Sequence, residues 1–353
     1  MKTGRAFVTC VLMAAGSAEL GAQSLLSLPE ASQSATVSQR VGLTDITVRY
    51  HRPLVNGRKV WGGLVPYGQV WRAGANENTT IEFSTPVTVE GQPLAKGVYG
   101  LHMMPGTDEW SVIFSRSSTA WGSFSYDKAE DALRVTVKPQ PSEMHEALTY
   151  DFDDVKPESA AVTLRWEKLA AGFHVGANEN EVTLASLRQE LRGGKQYVWE
   201  GYAEAAQYCA QHNVNLEEGL TWANRSIAVE ERMENVMLKA QLLKALNRGT
   251  EASAAKDRGL AIGSVIQVYF FGRQLQAEGK QAEAMDIFRL TIKRFPDHWV
   301  SHMAQARLNS AAGDYAGALK EIKTVQGMDI PEVQKPNLVN LAKRLENRED
   351  INK

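Results

Sequence analysis

The chain has 353 residues, 43% of them hydrophobic and 23% charged, enough for about two domains that each bury a core. Lysine and arginine total 39 against 41 acidic residues, a net charge of -2, and that balance argues against a general nucleic-acid binder. Glycine (28) and proline (12) stand at ordinary levels, which excludes a collagen-like or largely disordered chain.

Lys2 and Arg5 precede a short apolar run from Ala6 to Ala18, the order of a secretory signal peptide. The run is shorter than the ~20 apolar residues a spanning helix needs, and no later stretch is apolar enough to cross a membrane. Gly16, Ala18 and Ala22 offer small residues for cleavage. Residues 1–22 are therefore expected to be a signal segment, and the protein periplasmic or secreted with no transmembrane span. Loss of Cys10 with that segment would leave Cys209 alone, so no internal disulfide is expected. Cys209 lies in a helical pattern (AEAAQYCAQH) and reads as a buried small apolar residue. Residues 23–35, rich in Ser, Gln and Ala without a period, read as a linker.

From 36 to 178 the apolar positions alternate. Strands are predicted at 44–50, 80–83, 87–89, 110–114, 133–137 and 161–166, with weaker signals at 36–40, 98–103, 146–152 and 171–175. No long helical stretch interrupts them, so the fold class here is all-β: an antiparallel sandwich or jelly roll. Five of the eight tryptophans fall in this half. Trp110 and Trp166 stand in alternating strands and are expected in the core. Trp61 and Trp71 lie outside clean strands and are candidates for stacking on a ligand.

Residues 179–353 change to a helical period, with turn signals at 212–215, 247–250, 277–280 and 312–314. Gly279, Ala284 and Phe288 match Gly313, Ala318 and Ile322 at a spacing of 34 residues, with Gln281 against Tyr315 and Pro296 closing the unit. A Gly at the turn, a small Ala where helices cross and a large apolar residue one turn later resemble the tetratricopeptide repeat. Leu238–Ala261 and the stretch from Asn215 to Ala223 read as earlier, less regular units. The second fold class is thus an all-α array of helical hairpins, whose groove would take a protein or peptide.

No nucleophile elbow, phosphate loop, dinucleotide fingerprint or H-E-x-x-H is present, and no cofactor is expected. His298 and His302 share helical i,i+4 spacing, but no Glu follows the first His. His51, His102, His145 and His174 are scattered through the β half, and no metal set is read from either group. The densest polar and aromatic stretch runs from Tyr50 to Asn78. Its ligand-binding candidates are Arg52, Arg58, Trp61, Tyr67, Trp71, Arg72, Asn76 and Glu77, with His102 added from a later strand. Arg with Trp suits planar, anionic or sugar ligands; a buried Arg72–Glu77 pair pinning the loop is the structural alternative.

The segments SQRVGLTDITVRYHRP, NGRKVWGGLVPYGQVWRAGANENTTIEF, LAKGVYGLHMMPGTDEWSVIF and LRVTVKP resemble the DUF2911 family, a domain of unknown function, over roughly 33–175. That resemblance implies that Arg52, Arg58, Tyr67, Trp71, Arg72, Asn76 and Glu77 occupy signature positions, and it implies no reaction or ligand. His51 stands where a Ser is more usual, and Ala95-Lys96-Gly97 where Pro-Ala-Gly is more usual. The leading expectation is an exported binding protein of the bacterial envelope. Its β-domain would recognise a glycan or envelope component and its helical repeats a protein or peptide. The alternatives are a hydrolase using Arg72, Glu77 and His51 or His102, and a purely structural envelope protein.

Overall fold

The computed structural model describes residues 29–353; the expected signal segment and the first part of the expected linker lie outside them. The chain divides into two compact units after Val182.

The first unit is built from β1 (Gln33–Val41), β2 (Thr44–Arg52), β3 (Thr80–Phe83), β4 (Val87–Val89), β5 (Gln92–Leu94), β6 (Gly97–Met104), β7 (Trp110–Ser115), β8 (Asp131–Val137), β9 (Gln140–Lys156) and β10 (Ser159–Gly176). Among the described residues they form a six-stranded sheet, β1-β2-β3-β6-β7-β8, and a four-stranded one, β5-β4-β10-β9, with every pairing antiparallel. The first strand begins at Gln33, inside the stretch read as linker. It pairs along its length with β2, from Gln33 opposite Arg52 to Val41 opposite Thr44.

Alternation decides which side chains are inside. In β2, Ile46, Val48 and Tyr50 are buried while Asp45, Thr47 and Arg49 turn outward. Residues from both sheets meet in one core, with Phe83, Leu101, Met103 and Phe114 against Leu164, Phe173 and Val175. Trp61, Trp71, Trp110 and Trp166 cluster in it: Trp61 lies 4.6 Å from Trp110 and 5.8 Å from Trp166, and Trp71 stacks on Trp166 at 5.8 Å. The two runs predicted at 161–166 and 171–175 are one long strand, β10, kept continuous by register shifts around Glu167.

The second unit holds most of α1 (Glu179–Glu190), then α2 (Trp199–His212), α3 (Leu216–Val229), α4 (Met233–Ala245), α5 (Gly249–Ile262), α6 (Val265–Ala277), α7 (Gln281–Arg294), α8 (Trp299–Ala311), α9 (Tyr315–Gln326) and α10 (Lys335–Glu346). Helices α2 to α9 pack as four successive hairpins, with α10 against α9. All four turn signals fall at hairpin turns. The repeat residues do what their sizes require: Ala284, Phe288, Ala318 and Ile322 are wholly buried, and Gly279 and Gly313 adopt φ of +76° and +80°. Asn213 and Asn247 take the same left-handed conformation in the first two hairpins. These four turn residues are 34, 32 and 34 residues apart, so the array loses two residues between its second and third hairpins.

Helix α6 crosses α7 at Gly272, where an added Cβ would lie 2.7 Å from the ring of the wholly buried Phe288. Gly272→Ala is expected to destabilise the helical domain by about 1–2 kcal/mol despite alanine's better helix propensity, because the ring has nowhere to move. Urea unfolding followed by helical circular dichroism measures it. Gly249→Ala, where no atom lies within 4 Å, serves as the control that leaves the midpoint in place.

Candidate functional site

The 50–78 segment runs across the β-domain as a loop after β2, pinned by its own arginines. Arg52 donates to the Leu148 carbonyl (2.9 Å) and to Thr149 Oγ1 (2.8 Å), tying β2 to β9. Arg58 donates to the carbonyls of Val55 (3.0 Å) and Leu54 (2.5 Å), closing its own turn. Both guanidinium groups are committed to backbone and hydroxyl acceptors. Trp61 is 5% exposed and Trp71 is half-buried, with its Nε1 donating to the Gly74 carbonyl (3.0 Å). Both indoles expected to stack on a ligand therefore fill the core, and the flat platform of a sugar site is not formed by them. Tyr67 is exposed, and its ring lies over Gly62, where a Cβ would come within 2.7 Å of it.

The end of the loop, Arg72 to Asn78, gathers the remaining candidates. Arg72 does not form an ion pair with Glu77. It donates to the Asn76 carbonyl (2.8 Å) and lies 5.4 Å from the exposed ring of Phe124. Burial lowers its pKa, and the charge of Glu77 acts in the opposite sense. Glu77 instead meets His51, whose Nε2 lies 3.3 Å from it and 3.1 Å from Glu30. Asn76 takes a φ of +55° and donates from Nδ2 to Glu30 (2.8 Å) and to the Ser32 carbonyl (3.2 Å). Glu30 belongs to this group although nothing in its own sequence context marks it.

His102, the other proposed partner of Glu77, has a different setting. It lies on β6 at 2% exposure, with Nδ1 2.8 Å from Ser123 Oγ and its ring 5.5 Å from that of Tyr126. Burial holds its pKa down at about 4, against the attraction of Asp131. The sequence-based pairing of Glu77 with a histidine is thus realised through His51. Of the other histidines considered for metal, His298 accepts from the Val300 amide at the start of α8, His302 pairs with Glu321 (2.6 Å), and His174 lies against Glu90 (3.2 Å). They do not come together.

The helical domain holds a groove of about 930 Å³, bounded by α4, α5, α6 and α7 with Gln207 of α2 at its side. It opens where the array loses its two residues. Met237, Leu238, Phe271 and Leu275 give it an apolar lining, and Phe270 stands at its wall with 56% of its surface exposed. Its lining carries three lysines and three glutamates: Lys256 pairs with Glu283 (3.3 Å) and Lys280 with Glu278 (2.5 Å), Glu234 accepts from Gln267 (2.7 Å), and Lys244 forms no ion pair among the described residues. Gln207 and Gln241 line it with amide groups that no other described residue takes up. The signal that marks this site in the sequence is Tyr269-Phe270-Phe271: three consecutive aromatics on one helix cannot all face a single core.

Cys209 is wholly buried and its pKa is pushed up to about 11 by that burial, as an inert structural thiol requires. Among the described residues, no helix is long and apolar enough to cross a membrane.

Residues 32–175 match the family model described as a protein of unknown function (DUF2911). No curated protein matches the chain. Among solved structures the chain is similar to one titled "Crystal structure of YrrB: a TPR protein with an unusual peptide-binding site", at 16% identity over 47% of this chain and 84% of that one, with a TM-score of 0.27. The segment from residue 32 to 175 is therefore a DUF2911 domain, and tetratricopeptide-like helical hairpins follow it.

Proposed function

We propose that this is an exported interaction protein whose helical domain binds a peptide segment of a partner in the groove between its second and third hairpins. The observation that carries the reading is the exposed Phe270 beside a groove lined by Met237, Phe271 and Leu275. A volume of about 930 Å³ is at the upper end of ordinary ligand sites and holds the one or two large apolar anchors of an amphipathic segment. The three lysines and three glutamates of the lining balance in charge, so the partner is selected by apolar shape rather than by net charge. The unused amides of Gln207 and Gln241 each offer a donor and an acceptor, the pair a peptide main chain presents. Lys2 and Arg5 ahead of the Ala6–Ala18 run support export.

The test is selection from a displayed peptide library by the full chain. Peptides sharing a large apolar anchor are expected, with affinity lowered at least about tenfold by Phe270→Ala, the loss expected for an interface anchor. Val333→Ala, at an exposed apolar residue outside the groove, is expected to leave affinity unchanged. A library that yields no binder, or binders indifferent to Phe270→Ala, overturns the reading.

A further inference from the structure

We infer that Glu30, His51 and Glu77 form a binding site for a divalent transition-metal ion of the zinc type. The three side chains come from separate places in the chain: the residue run ahead of β1, the end of β2, and the loop before β3. One ligand atom of each converges so that all lie within 4.8 Å of one another. His51 Nε2 is 3.1 Å from Glu30 Oε2 and 3.3 Å from Glu77 Oε2. Metal–ligand bonds of about 2.0–2.2 Å at tetrahedral angles separate neighbouring ligand atoms by roughly 3.4 Å, so these spacings are close to those of a coordination edge.

An ion-pair cluster accounts for the arrangement less well. Nε2 carries at most one hydrogen and makes at most one straight hydrogen bond, yet two carboxylate oxygens face it. The second carboxylate then approaches both a nitrogen already engaged and a like charge. A cation held among the three atoms removes both conflicts, with a neutral imidazole using its lone pair and each carboxylate giving one oxygen. The surroundings fit that role. Asn76 Nδ2 donates to the same Glu30 oxygen (2.8 Å), the kind of outer contact that orients a ligating carboxylate. The His51 side chain is 15% exposed, which fixes the ring, while Glu30 and Glu77 are about half exposed and leave a way in. An imidazole with two carboxylates and no thiolate selects zinc, cobalt or nickel over magnesium and calcium, which prefer oxygen donors alone. Three protein ligands leave a fourth position for water or an anionic group.

The experiment uses the full chain stripped with a chelator and titrated with zinc sulfate against a chromogenic competitor. One equivalent bound is expected, with visible absorption bands on replacement by cobalt(II). His51→Ala and Glu77→Gln are each expected to weaken binding by about a hundredfold or more, and Asn76→Ala by about tenfold. His302→Ala, whose ring pairs with Glu321 in the helical domain, is expected to bind as the parent does. Glu77 is half exposed, so Glu77→Gln keeps the fold and remains informative if His51→Ala does not. Absence of stoichiometric uptake by the folded parent, or affinity unchanged in Glu77→Gln, overturns the assignment.

Discussion

Lowering the pH from 7 to 4.5 is expected to remove about 2 kcal/mol of stability from the β-domain through one side chain, His102, and His102→Asn to abolish that part of the loss. The folded domain holds this imidazole neutral, with a pKa of about 4 against an ordinary 6.5, because it is buried. Above pH 6.5 both folded and unfolded chains carry it neutral, and it makes no difference to stability. Between 6.5 and 4 the unfolded chain takes up a proton that the folded domain refuses, so stability falls as the pH falls. Below 4 the loss levels off near about 3 kcal/mol, the 2.5-unit separation at 1.36 kcal/mol per unit. Asparagine can still face Ser123 Oγ, which lies 2.8 Å from Nδ1, and has no proton to gain. Carboxylates held below their usual range by their partners, Asp45 beside Arg40 among them, add their own acid sensitivity. The informative quantity is therefore the difference between parent and variant. Urea unfolding at pH 7, 5.5 and 4.5, read by tryptophan fluorescence, gives it. A difference that does not change with pH would show that the imidazole is accessible to protons in the folded state.

The division into a strand half and a helix half was legible because each depends on local alternation of apolar residues, visible within a window of a few positions. What stayed hidden depends on partners distant in sequence. Three-residue β5 carries Pro93 and sits at the edge of its sheet, where a missing amide donor is tolerated, so it left no strand signal. The run 161–166 looked separate from 171–175 because Glu167 takes a φ of +54° and breaks the alternation without ending β10.

The 50–78 loop was recognisable as unusual, but its composition did not show which of its side chains turn inward. Trp61 is buried and Trp71 half-buried because Trp110 and Trp166, far along the chain, stand opposite them. Glu30 reaches His51 only because β1 runs antiparallel to β2 with Ser34 opposite His51, a register that no local pattern announces. In the helical half the 34-residue spacing predicted the hairpins. The 32-residue step between Asn247 and Gly279 is visible in the sequence only once the left-handed turn residues are known, and it marks where the groove opens.

Deletion of residues 350–353 is expected to destabilise the helical domain by about 3–5 kcal/mol, the cost of leaving a buried charge without its partners. Arg307, on α8, is 2% exposed and forms no ion pair among the described residues. Its guanidinium donates through Nε to Tyr269 Oη (2.9 Å) and through Nη1 to the Ile351 carbonyl (2.9 Å). Asn352 Nδ2 returns a bond to the Arg307 carbonyl (3.0 Å), and Ser310 Oγ donates to Asp350 (2.9 Å) and accepts from the Ile351 amide (3.0 Å). Ile351 itself is 3% exposed. Without this segment the guanidinium keeps only the tyrosine hydroxyl. Arg307→Met separates the charge from the apolar loss. In the full chain it leaves the Ile351 carbonyl without its donor and is expected to destabilise by about 1–3 kcal/mol. In the shortened chain it removes an unpaired buried cation and is expected to be neutral or stabilising. Urea unfolding at a helical wavelength across the four chains supplies the cycle. Equal costs of Arg307→Met in both backgrounds would show that the segment does not hold the guanidinium.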